Sequence, residues 1–281
     1  MVNREQRVKV NDTLSDTVVT KAGVPQGCVL SPFLFSLYTC DCRTEYGSNV
    51  IIKYADDTVI MGLVSENDET SYRHEITKFV DWCQNNNLVL NVKKTKEMIF
   101  DFRKKRNDIV PLNILEENVD IVAEYKYLGV HIDNDMSWET HVRKTFSKAN
   151  QRLYFLRKMN KFSVSKDIMR LFYCSVIQSV ITYCCVVWFN SLRVQDRLKL
   201  EKVARTAKKI IGKDVECLRN LADERILTHL KKVLEDSSHP LNPLVILNES
   251  GRARQIRVRT GRFRKTFIPC AINLFNSIQR R

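Results

Sequence analysis

NVIIKYADDTVIMGLV, residues Asn49 to Val64, decides how the rest of the chain is read. Asn49 to Lys53 and Thr58 to Val64 are apolar, β-branched runs on either side of Asp56 and Asp57, the pattern of a β-hairpin with two carboxylates at its tip. Adjacent like charges repel, and a hard divalent cation removes the conflict. Mg2+ takes carboxylate and phosphate oxygens in octahedral geometry, and a pair of ions about 3.5–4 Å apart can serve phosphoryl transfer. Neighbouring strand residues point to opposite faces, so one carboxylate is expected to be the direct ligand, and Asp56 is the choice. Taken alone, the pair is also an ordinary solvent-facing turn.

Outward from the hairpin, the first 135 residues read as α/β and the remainder as helical. Gln6 to Val10 and Thr17 to Ala22 are short β-branched runs leading into Gly23-Val-Pro-Gln-Gly27. Ser31 and Pro32 read as the N-cap and first residue of a helix running to Tyr38, with Gly47 ending it. A helix is expected over Tyr72 to Cys83, and strands near Met98–Phe102, Ile109–Leu115 and Tyr127–Ile132. Val142, Phe146, Ala149, Leu153 and Leu156 are spaced four, three, four and three, one face of a helix. Further helices are expected from Asp167 through Val187 and from Gln195 to Ile211, the latter closed by Gly212. The expected class is α+β, divided into 1–135, 136–212 and a basic 213–281.

The 281 residues carry 46 Lys plus Arg against 32 Asp plus Glu, a formal charge of +14. At that length roughly three quarters of the unfolded surface can be buried, which excludes a disulfide-stapled miniprotein. The charge is concentrated. Nine basic residues and no acid lie from Gly251 to Arg281, and nine against the single Asp167 from Arg143 to Arg170, leaving the remainder close to neutral. Two such segments suit a regularly charged polyanion such as nucleic acid, and equally two solvated helix faces. Nine cysteines without zinc-finger or zinc-ribbon spacing read as reduced thiols of an intracellular protein. Leu171 to Leu192 is uncharged over 22 residues, but its Gln178, Asn190 and hydroxyl residues favour a buried helix over a membrane span.

GVPQGCVLSPFLFSLY (Gly23 to Tyr38), KYADD (Lys53 to Asp57), NVKKTKEMIF (Asn91 to Phe100) and YLGV (Tyr127 to Val130), in that order, resemble the palm of reverse transcriptases of the non-LTR (LINE-type) retrotransposons. The resemblance extends through the SWETHV segment and RTGRFRKTFIPCAINLFNSI, and so over nearly the whole chain. It implies a partial right-hand polymerase palm, an antiparallel sheet with helices, followed by a helical thumb. It further implies RNA-directed DNA synthesis from an RNA template and DNA primer with deoxynucleoside triphosphates, Mg2+ or Mn2+ at Asp56 and Asp57, and a nuclear site of action. By that resemblance Pro25, Gln26 and Gly27 lie against template and incoming nucleotide, Tyr54 and Ala55 border the primer end, and Lys94 assists the departing pyrophosphate. Tyr127, Leu128 and Gly129 then form the primer grip.

The family also carries a strand aspartate upstream of the GVPQG loop. Only 22 residues precede Gly23, and Asp12 and Asp16 lie in a polar connection without the apolar strand that motif needs. The expectation is therefore a truncated polymerase, inactive alone. A non-catalytic RNA- or DNA-binding remnant is the first alternative. The second is an iron and 2-oxoglutarate dioxygenase: His131-Ile132-Asp133 matches a facial-triad H-x-D, with His229 or His239 as third ligand and Arg252 for the oxo acid. Trp138 to Trp188 also resembles a small helical domain found beside alkylation-repair dioxygenases.

Overall fold

β-branched side chains alternating across a pleat, interrupted by two residues that tolerate a turn, give the hairpin its register. In the computed structural model, which describes residues 4–20, 23–24, 27–103 and 109–279, the chain divides into two compact units. One comprises Met1–Lys96 with Val110–Asp120, the other Glu97–Ile109 with Ile121–Arg281. The chain passes between them at β7 (Lys96–Glu97), between Ile109 and Val110, and at β10 (Asp120–Ile121). Compactness thus groups the chain differently from the change of composition near residue 135.

In the first unit, β1 (Arg4–Gln6) pairs antiparallel with β4 (Val18–Thr20), and between them β2 (Lys9–Val10) turns back on β3 (Thr13–Leu14). Helix α1 spans Leu30–Tyr38. It begins before the expected Ser31 cap: Val29 occupies the N-cap without a side-chain bond, and Pro32 still falls in the first turn, where its missing N–H costs nothing. It ends at Thr39 rather than Gly47, with the Thr39 hydroxyl donating to the Phe35 carbonyl at 3.1 Å. Strands β5 (Asn49–Tyr54) and β6 (Asp57–Gly62) pair in the register Asn49↔Gly62 through Tyr54↔Asp57.

Helix α2 (Thr70–Asn85) packs on that hairpin, and Tyr72 lies so close to Gly62 that no side chain fits there. Its inner face meets β8 (Asn113–Ile114), β9 (Glu117–Asn118) and the 89–92 segment in a small core of Val80, Val92, Leu112, Ile114 and Val119. The opposite face of the hairpin stays open: Val50, Ile52, Tyr54 and Met61 are all exposed.

The second unit begins with the hairpin β11 (Glu124–Tyr127) and β12 (Val130–Asp133). Helix α3 (Glu139–Lys161) buries Val142, Ala149, Leu153 and Leu156, the expected stripe, and half-buries Phe146. The segment expected as one helix from Asp167 to Val187 is broken. It runs as α4 (Lys166–Phe172), a π-helical turn (Tyr173–Gln178), α5 (Ser179–Ile181) and α6 (Cys185–Trp188), bent by 44°. Hydroxyls bonding back to carbonyls four residues earlier bend a helix, and here Ser175, Ser179 and Thr182 all do so. Cys184, at φ 49°, completes the break.

Tyr173, Ile177, Ile181, Trp188 and Phe189 from this segment are fully buried against α3 and α7 (Val194–Ile211), which ends at Gly212 in the left-handed conformation as expected. Among the described residues no single helix is long and apolar enough to cross a membrane. Helix α8 (Leu218–Glu235), α9 (Gly261–Arg264) and α10 (Phe267–Ile278) follow, α8 and α10 closing a second core of Ile226, Leu230, Val233, Val245, Ile268 and Ile272.

The mixed strand and helix content is that of an α+β protein, with α1 and α2 set among two-stranded sheets and the other helices following them. Met98–Phe102 forms no strand, and of Ile109–Leu115 only Asn113–Ile114 does, because a short apolar run without a paired neighbour gains no ladder.

Candidate active site

Ala55 and Asp56 form a two-residue turn between the closing pair Tyr54↔Asp57, which puts both aspartates at the tip. Tyr54, Ala55, Asp56 and Asp57 are all exposed. Ala55 has φ 52°, a left-handed conformation that costs a residue with a Cβ roughly 1–2 kcal/mol. Behind the tip, Lys53 donates to the carbonyls of Thr39 and Cys42, the latter at 2.9 Å. A cation is favourable where a helix presents its last carbonyls, so this lysine ties β5 to the end of α1. Further back, the buried Glu75 of α2 accepts the backbone N–H groups of Glu45 (3.1 Å) and Tyr46 (3.4 Å) and the Asn49 amide (3.3 Å), fixing the entry to β5.

Gly27, ahead of α1, is exposed at φ 76° with nothing within 4 Å of where a Cβ would stand, which leaves its backbone open to approach. Pro25 and Gln26 lie outside the described residues. Lys94 closes a 3-10 turn (Val92–Lys94) that Asn91 caps by accepting the Lys94 N–H at 3.2 Å, and its side chain is exposed. Tyr54, Ala55, Asp56 and Asp57 are therefore brought to one tip. Gly27 and Lys94 belong to the same compact unit, and Tyr127, Leu128 and Gly129 to the other.

In that second unit Leu128 (φ 44°) and Gly129 (φ 86°) form the β11–β12 turn, both left-handed as such a hairpin twist requires. Tyr183, at the break before α6, donates to the Leu128 carbonyl at 2.8 Å, and its ring would stand 3.3 Å from a Cβ on Gly129. Lys53, Glu75 and Tyr183 escaped sequence reasoning. Each acts on a backbone far along the chain, and nothing local in the sequence announces that.

Two hard carboxylates suit a hard divalent ion chemically, but by themselves they are fewer ligands than such a centre needs. Among the described residues no group of three or more His, Cys, Asp or Glu side chains could hold a metal ion. Among the described residues, those of the dioxygenase alternative are not gathered into such a group either. His131 and Asp133 alternate on β12, where the Asp133 carboxylate accepts Ser137 Oγ at 3.1 Å and the Thr140 N–H at 3.4 Å. The His131 N–H donates to Nδ1 of the buried His141 at 3.3 Å. His229 and His239 pack edge to face on each other. Asp133 thereby ties β12 to the start of α3.

Residues 2–132 match the family described as reverse transcriptase (RNA-dependent DNA polymerase). Residues 138–179 match that of the alkylated DNA repair protein alkB homolog 8, N-terminal, a stretch of helices that includes neither His131 nor Asp133. The chain is 26% identical over 197 residues to a probable RNA-directed DNA polymerase from transposon BS of Drosophila melanogaster, covering 66% of this chain and 22% of that protein. It is 25% identical over 236 residues to the RNA-directed DNA polymerase from mobile element jockey of Drosophila funebris, covering 76% and 25%. The chain thus spans about a fifth to a quarter of the length of these relatives. No solved structure matches it. The reverse-transcriptase match over residues 2–132 includes the exposed Asp56–Asp57 tip, and over about two thirds to three quarters of its length the chain is similar to RNA-directed DNA polymerases of transposons.

Proposed function

We propose that the chain supplies the catalytic hairpin, primer grip and thumb of an RNA-directed DNA polymerase that acts in the nucleus on an RNA template, a DNA primer and deoxynucleoside triphosphates. The observation that carries this is the placing of Asp56 and Asp57 together on an exposed, strained turn within the segment that matches the reverse-transcriptase family. Reverse transcriptases use divalent metal ions, and on this reading Asp56 and Asp57 contribute two of the carboxylates that hold Mg2+ or Mn2+. Pro25, Gln26 and Gly27 face template and nucleotide, Tyr54 and Ala55 the primer end, and Lys94 the triphosphate. Residues 1–135 serve as partial palm, 136–212 as thumb, and 213–281 as a basic extension.

Two carboxylates do not complete a two-metal site, and losing one ligand of such a site costs several kcal/mol of transition-state stabilisation. The isolated chain is therefore expected to bind an RNA–DNA hybrid and to extend it at background rate with Mg2+ and all four nucleotides. Asp56→Asn should leave hybrid binding unchanged. Asp56-dependent extension by the isolated chain would show the site to be sufficient as it stands. Absence of hybrid binding at 50 mM salt would remove the polymerase reading.

A further inference from the structure

Between the second core and α9 the chain carries no helix from Arg252 to Arg259, yet it is firmly placed. The Asn276 side chain of α10 clasps Ala253 on both sides, accepting its N–H at 2.9 Å and donating to its carbonyl at 2.8 Å. Ala253 also bridges antiparallel to Leu247, the Arg254 N–H reaches the Ile246 carbonyl at 2.7 Å, and Gln279 donates to the Gly251 carbonyl at 3.2 Å. Pinned in this way, the strap buries Ala253 and half-buries Ile256 and Val258, while Arg252, Arg254, Arg257 and Arg259 all face solvent.

Extended chain rises about 3.3 Å per residue, so spacings of two and three residues set the Cα atoms of these arginines about 7–10 Å apart, the order of the step between phosphates along a nucleic-acid strand. No acid occurs after Glu249 to neutralise them. Beyond the strap, the Arg262 guanidinium carbon stands over the Phe102 ring, 3.5 Å from its centroid, which places a fifth cation. The guanidinium fork matches phosphate oxygens, and the strap's own apolar side chains, Ala253, Ile256 and Val258, are buried or half-buried rather than presented alongside the arginines.

We infer that the strap from Arg252 to Arg259 is a phosphate-backbone rail, a contact surface for a nucleic-acid strand in addition to the Asp56–Asp57 hairpin. It deepens the polymerase reading and rests on it only for the kind of polyanion bound.

The test is fluorescence anisotropy of the full chain with a labelled single-stranded RNA across a salt series. Wild type is compared with Arg252→Gln/Arg254→Gln/Arg257→Gln/Arg259→Gln and with the same four positions changed to Lys. Each phosphate contact on a single strand contributes about 0.7 to the slope of log affinity against log salt, so the Gln variant should lose about 3 from that slope and at least 10-fold in affinity. The Lys variant should keep most of the slope, and circular dichroism should show all three proteins equally folded. A Gln variant with the wild-type slope overturns the rail, while persistence of hybrid binding in that variant leaves the polymerase reading standing. Strap-dependent binding to phosphatidylserine vesicles without strap-dependent RNA binding would likewise overturn it.

Discussion

Ala55 sits at φ 52° beside two aspartates, and glycine would hold that conformation without the penalty a Cβ incurs. Ala55→Gly is expected to stabilise the hairpin by about 1 kcal/mol, seen as roughly five-fold slower hydrogen exchange at the β5 and β6 amides. Equal or faster exchange would mean the turn carries no strain. At this scale the sequence showed the acids and the turn but not their support. Asp56 and Asp57 were legible because two β-branched runs flank them. Lys53 was not, since its partners are the carbonyls of Thr39 and Cys42, and every residue has a carbonyl. Glu75 reads as one more surface acid on α2 until the loop at Glu45 and Tyr46 closes over it.

Elements were legible where a period and a stop signal agreed. The stripe of α3 and the Gly212 end of α7 are such cases. The break between α4 and α6 was hidden, because hydroxyl back-bonding and a left-handed Cys184 leave no glycine or proline in the sequence. The packing of α2 on the β5–β6 hairpin offers a test. A Cβ on Gly62 would stand 2.7 Å from Cδ2 and 2.8 Å from Cβ of Tyr72, and the Cβ cannot move without the helix. Gly62→Ala should cost about 1–3 kcal/mol by denaturant unfolding, and much less in a Tyr72→Ala background, where the clash is gone. Additive effects of the two substitutions would contradict the packing.

For the molecule as a whole, the clearest predicted property is loss of stability in mild acid. His141 is buried against Trp188, and burial foremost, with His131 and Lys148 adding and Asp133 opposing, pushes its pKa down to about 4. A histidine with a folded pKa below the unfolded 6.5 leaves the unfolded chain binding the proton first, so stability falls as pH drops from 6.5 towards 4. The loss is about 2 kcal/mol by pH 5. Thermal melts between pH 7 and 5 should show it, and His141→Phe should flatten the slope over that window. An unchanged slope would place the titration elsewhere. The α+β class was legible from the change of pattern along the chain, and the basic tail from its charge. The compact units were not, since Glu97–Ile109 joins the helical part through folding rather than through any local signal.

The Tyr183 hydroxyl that steadies the Leu128 carbonyl comes from 55 residues further on. During synthesis on the ribosome, the turn at Leu128 and Gly129 emerges well before the residue that props it open. Leucine in a left-handed conformation is unfavourable by itself, so this hairpin acquires its final shape only once the following helices have been made. In a nascent chain the Leu128–Gly129 turn would therefore settle only after translation had passed well beyond the last strand.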